Sequence, residues 1–174
     1  METKSLEDFN PSIRASKIAE GENNDCVVVA LANALEIPYD QAHSLVAEDM
    51  GRKPGKGTNS GVLKSAMQKY EDSGLFIGGR KFNVVSLKQD MLLHKRNNKT
   101  SRKTIGTFIK TVPSGNYVIV VSEHALAINN GVIIDAESLK DKTRRIVKDA
   151  YLIEEDPEYR AVVAEEVSES IQYA

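Results

Sequence analysis

One cysteine, no tryptophan and almost no charge surplus distinguish this 174-residue chain by what it does without. A lone cysteine, Cys26, excludes an intramolecular disulfide and a cysteine-rich zinc site, and it suits a reducing compartment. The 23 Lys and Arg stand against 25 Asp and Glu for a formal net charge of -2, so no global field marks the chain for nucleic acid or an anionic membrane. No apolar run approaches the roughly 18 residues that span a bilayer, and residues 1–10 are polar and acidic rather than signal-like. The expectation is therefore a cytoplasmic protein without a membrane partner, whose function must be read from a site.

The chain is 41% hydrophobic, enough to bury one sizeable core. A single domain over residues 1–174 is expected, with a core from about residue 12 to 155 and an acidic, helical tail from 156 to 174. The polar loop Glu20–Asp25 runs into Cys26 and then an almost wholly apolar segment. Asn23, Asn24 or Asp25 can cap a helix there, and the segment is too apolar to face water, so it reads as a buried helix ending near Ile37 and Pro38. Three consecutive valines pull the other way, toward a strand. A second helix is predicted from a cap at Asp40 to Asp49, a glycine-rich basic loop over residues 52–61, and a third helix closed by Gly74.

The second half changes character. Residues 82–87 read as a strand, residues 94–104 as a basic loop or frayed helix start, and 105–112 as a short helix. Three strand-like runs follow, 116–122, 124–128 and 132–135, the last two joined by Asn129-Asn130-Gly131, a strong hairpin signal. A further strand over 145–153 completes an antiparallel sheet. Helices first and a sheet second is the order of an α+β fold.

A cysteine nucleophile needs an environment that favours thiolate, a nearby imidazole and donors for the developing oxyanion. Cys26 at the first turn of a buried helix meets the positive end of the helix dipole. The Asn130 hairpin brings the chain back toward His124 and places Asp135 within about one pair of it, where a carboxylate fixes the imidazole's tautomer. His43 and His94 have no patterned partner and are set aside, and the basic clusters 52–56 and 94–103 read as solvated loops, with recognition of an acidic or phosphate-bearing partner as their functional alternative.

Asn24-Asp25-Cys26 ahead of an alanine-rich helix, His124 after a valine-rich strand, and Asp135 after Asn-Asn-Gly together resemble the papain-like cysteine hydrolases, and more narrowly small papain-like proteins encoded by bacteriophages. The resemblance spans roughly residues 21–136. It implies N-terminal helices with the cysteine opening a central helix packed on a C-terminal antiparallel sheet. It also implies a catalytic set of Cys26, His124 and Asp135, and an amide or peptide substrate cleaved without metal or cofactor. Papain-like enzymes place a Gln or Asn upstream of the cysteine for the oxyanion; the role falls here to Asn24 or Asn23, with the backbone N–H of Cys26 as second donor. A protein or peptide substrate, a host protein if the chain is phage-encoded, is the expected partner, in the host cytoplasm. Two alternatives stand beside hydrolysis: acyl transfer to an amine, as in transglutaminase-like enzymes, and an inactive papain-like fold used as a binding module.

Overall fold

The run that follows Cys26 is helical despite its valines. In the computed structural model, which describes residues 3–4, 9–135 and 142–159, a two-residue strand β1 (Thr3–Lys4) and two short helices, α1 (Pro11–Ala15) and α2 (Lys17–Glu20), precede α3 (Cys26–Leu35). Every α3 residue from Val27 to Leu35 is buried. A β-branched residue costs a helix roughly 0.5 kcal/mol, whereas fully burying its side chain returns about 1.5–3 kcal/mol, so packing overrides propensity.

Asparagines from elsewhere in the chain close the far end of α3. Asn10 Nδ2 donates to the carbonyls of Ala32 at 3.3 Å and Ile37 at 3.0 Å, Asn129 Nδ2 to that of Asn33 at 2.9 Å, and Asn116 Nδ2 to that of Ala34 at 3.1 Å. The last carbonyls of a helix lack intrahelical partners. Neutral amides satisfy them here, so the buried end of α3 needs no charged cap.

Helix α4 (Tyr39–Met50) packs against α3 and ends, as expected, at Gly51 with φ 67°. Asp40 is not its cap. Pro38 holds that position, and Asp40 sits in the first turn accepting a hydrogen bond from Ser16 Oγ. Helix α5 (Ser60–Ser73) is capped by Asn59, whose Oδ1 accepts from the Gly61 amide at 2.7 Å.

Strands β2 (Leu75–Ile77) and β3 (Arg80–Ser86) form a hairpin that sequence reading places only in its second half. Its turn is Gly78-Gly79, at φ 58° and 73°, a backbone that only glycine adopts freely. The basic stretch after the 3-10 turn Gln89–Leu92 is neither loop nor frayed helix: it is a two-stranded hairpin, β4 (Leu93–Arg96) and β5 (Lys99–Arg102). Asn97 and Asn98 turn it at φ 51° and 61°. Helix α6 (Ile105–Thr111) is followed by β6 (Asn116–Val121), β7 (His124–Asn129), β8 (Val132–Ile134) and β9 (Asp149–Glu155).

The large sheet runs β1-β8-β7-β6-β9-β3-β2. All its pairs are antiparallel except β1 with β8, so the sheet recruits strands from the N-terminus and the middle as well as from the C-terminal half. One face packs on α3, α4 and α5 through Val118, Val120, Ala125, Ala127 and Ile134. The other buries Tyr117, Ile119, Leu126 and Ile128 under α6, where the rings of Phe108 and Tyr117 meet edge to face at 5.2 Å. Because both faces are covered, β6 and β7 read as unbroken apolar runs instead of alternating ones.

Among the described residues no helix is long and apolar enough to cross a membrane. Of the tail, residues 156–159 are described, with the Tyr159 ring edge-on to Phe76 at 5.4 Å; the helix expected beyond them lies outside the described residues.

Candidate active site

Cys26 opens α3 at the end opposite the asparagine clamp. Asp25 occupies the N-cap position, yet its carboxylate does not cap the helix, because it accepts the hydroxyl of the buried Tyr39 at 2.6 Å. Burial first, and that bond second, push the Tyr39 phenol far above its ordinary pKa. With no side chain on the first-turn amides, the positive end of the helix dipole is directed at the sulfur and at what lies in front of it. Cys26 is half-buried and lines, with Asn24, Val27 and His124, a cleft of about 620 Å³.

His124 begins β7 directly after a tight turn in which Glu123 has φ 57°. Asp135 follows the last residue of β8. The register pairs Ala127 with Ile134, so Asp135 lies one residue further from direct opposition to His124 than a turn centred on Asn130 implies. The cause is that two residues turn the chain, Asn130 at φ 48° and Gly131 at φ 80°. The two side chains meet as diagonal neighbours instead. His124 Nε2 lies 2.9 Å from Asp135 Oδ1 and 2.8 Å from Oδ2, and the Asp135 side chain is only 1% exposed.

Cys26 lines the same cleft as the His124 ring. The Asp135 bond first, then the influence of the neighbouring Cys26 side chain, outweigh burial and raise the His124 pKa to about 9. At neutral pH the ring is an imidazolium held against a buried carboxylate, at the cleft that Cys26 lines. Such a group holds a proton ready for a leaving amine.

The oxyanion candidates separate. Asn24 lines the cleft at φ 52° and donates one Nδ2 hydrogen to the Gly55 carbonyl at 3.2 Å, its second hydrogen having no partner among the described residues. Asn23 does not line the cleft; its carbonyl accepts from Arg52 Nη2 at 3.1 Å.

Arg52 belongs to a brace that sequence reading misses. Its side chain is 2% exposed and pairs with Glu22, which also accepts from the Gly55 amide at 2.7 Å and engages His43 Nε2 at 2.7 Å. The Arg52 guanidinium is the chief reason the Glu22 carboxyl is held down to about 2, with burial opposing. Residue 52 is therefore no part of a solvated loop, and His43 has a partner after all. Together they fasten the segment before Cys26 to the loop that runs along the cleft. Opposite charges thirty residues apart were the only sequence signal for this contact.

The site does not bring in His94, which lies on β4 away from the cleft lining. Among the described residues no group of three or more His, Cys, Asp or Glu is disposed to hold a metal ion. No family model, no curated protein and no solved structure matches the chain.

Proposed function

We propose that the protein is a papain-like cysteine hydrolase that cleaves an amide, peptide or isopeptide bond. The observation that carries the reading is the His124 ring, bonded through Nε2 to buried Asp135, at a cleft that Cys26 also lines and into which α3 points its N-terminus.

In this reading Cys26 Sγ attacks the substrate carbonyl carbon, forming a C–S bond and an oxyanion. Asn24 and the Cys26 amide donate to that oxygen. His124 gives its proton to the leaving nitrogen, the C–N bond breaks, and an amine departs from a thioester. Water then attacks the thioester, His124 takes its proton, and the acid is released with the sulfur restored. Asp135 keeps the ring oriented and stabilises its charge throughout.

The test compares alkylation of Cys26 by iodoacetamide at pH 6 in the wild type, His124→Ala and Asp135→Asn. The expected order is wild type fastest and His124→Ala slowest by several-fold, each protein remaining folded by circular dichroism. Equal rates in all three would overturn the reading and leave the fold as a binding module.

A further inference from the structure

The cations of the β4–β5 hairpin are arranged at a cost that the fold itself does not recover. Residues 88–103 carry six Lys or Arg against the single Asp90, a local +5 on a chain whose total is -2, which leaves -7 for the rest. Lys95, Arg96 and Lys99 are all exposed, and none makes an ion pair among the described residues. Arg96 stands directly opposite Lys99 in the register, a like-charge cross-strand pair that weakens a hairpin. Two unpaired cations held face to face beside the turn suit an anion supplied from outside.

The hairpin is also fixed to the rim of the cleft. Arg102 donates through Nη1 to the carbonyls of Val147 at 3.3 Å and Lys148 at 3.1 Å, and through Nη2 to Gln89 Oε1 at 2.9 Å. Lys148 lines the cleft, beside the anions Glu123 and Asp149. The cleft thus carries both signs of charge, whereas the hairpin carries one. Four residues of strand set the tip about 13 Å beyond its base, the length of about four extended substrate residues.

We infer that the β4–β5 hairpin is a docking arm for an acidic polypeptide segment of the substrate, bound beside the cleft instead of in it. The choice of a polypeptide rests on the amide-hydrolase reading. It agrees with the hairpin's composition, since residues 93–103 contain no Phe, Tyr or Trp on which a nucleic-acid base would stack.

The experiment measures binding of fluorescein-labelled poly-L-glutamate to the full chain by fluorescence anisotropy. Wild type binds, and its affinity falls as salt rises from about 50 mM to about 300 mM, where screening shortens the reach of exposed charges. Lys95→Glu/Arg96→Glu/Lys99→Glu weakens binding by at least about 10-fold, the loss expected when a rim of steering charge is reversed. Lys64→Glu/Lys69→Glu, on the outer face of α5, leaves binding unchanged. A triple Gln variant at 95, 96 and 99 gives a smaller loss in the same direction and guards against misfolding of the charge reversal. Cys26→Ala binds like wild type, so failure of docking and failure of the hydrolase reading are separable. The inference is overturned if the triple Glu variant binds as tightly as wild type. It is equally overturned if a DNA duplex binds more tightly than poly-L-glutamate through the same three residues.

Discussion

His124 Nε2 lies almost equidistant from the two carboxylate oxygens of Asp135, at 2.9 Å and 2.8 Å. That shared contact makes Asp135 the largest influence on the protonation of the ring. A histidine that holds its proton more tightly folded than unfolded adds stability that is fully present below its unfolded pKa and disappears as pH rises through the folded one. For His124 the window runs from about 6.5 to about 9.

Asp135→Asn is therefore expected to drop the His124 pKa from about 9 toward the ordinary 6.5. Imidazole C–H chemical shifts followed across pH 5–10 measure it. Urea midpoints of wild type are expected to fall across that window, while those of Asp135→Asn stay nearly level. Two parallel curves would show that the pair is not the source of the shift.

Arg52→Met strands the Glu22 carboxylate in a site where its side chain is 4% exposed. Breaking a buried pair from one side costs about 3–5 kcal/mol, read as a loss of urea-unfolding free energy. The carboxyl of Glu22 is depressed to about 2 from 4.5, so its contribution is present above about pH 4.5 and is lost as pH falls toward 2. Acid unfolding of the wild type, followed by circular dichroism, is expected to take that course, and Glu22→Gln to remove this component of it.

Asn24→Gly removes the proposed oxyanion donor while keeping the left-handed backbone, φ 52°, that glycine tolerates. The rate of p-nitrophenolate release from p-nitrophenyl acetate is expected to fall about 100-fold to 1,000-fold, the usual cost of one oxyanion-hole donor. Asn23→Gly is expected to leave that rate close to wild type. Similar rates for both variants would remove Asn24 from the mechanism.

Asn129→Ala takes from the buried Asn33 carbonyl of α3 its side-chain donor and leaves it the Glu36 amide alone. The expected cost is about 0.5–1.5 kcal/mol, and for a chain of this size each kcal/mol lowers Tm by about 2–4 °C. Differential scanning calorimetry decides it. An unchanged Tm would mean that the amide contributes nothing to holding the helix.

What the sequence made legible was local. The burial of Val27 to Leu35 and the Asn130-Gly131 turn were both readable from neighbouring residues, and they bring Cys26 and His124 to one cleft with Asp135 buried against the ring. The β4–β5 hairpin was hidden because Lys95, Arg96, Lys99 and Arg102 erase any alternation of apolar and polar residues. Its only cue was Asn97-Asn98, two residues that accept positive φ. Strand β2 was too short to register beside Gly78-Gly79. Asp40 looked like a cap because caps are recognised by residue type, whereas Ser16, twenty-four residues away, decides what its carboxylate does. The Glu22–Arg52–His43 brace joins three segments, and no local period encodes it.

The single sulfhydryl at the cleft has a redox corollary. Oxidation of Cys26 to a sulfenic acid would leave it with no second cysteine in this chain to trap it as a disulfide. Recovery then depends on a thiol small enough to enter the cleft, and prolonged peroxide carries the sulfur on to the irreversible sulfinic state. The same half-buried seat that would serve the chemistry leaves the protein reliant on its surroundings for repair.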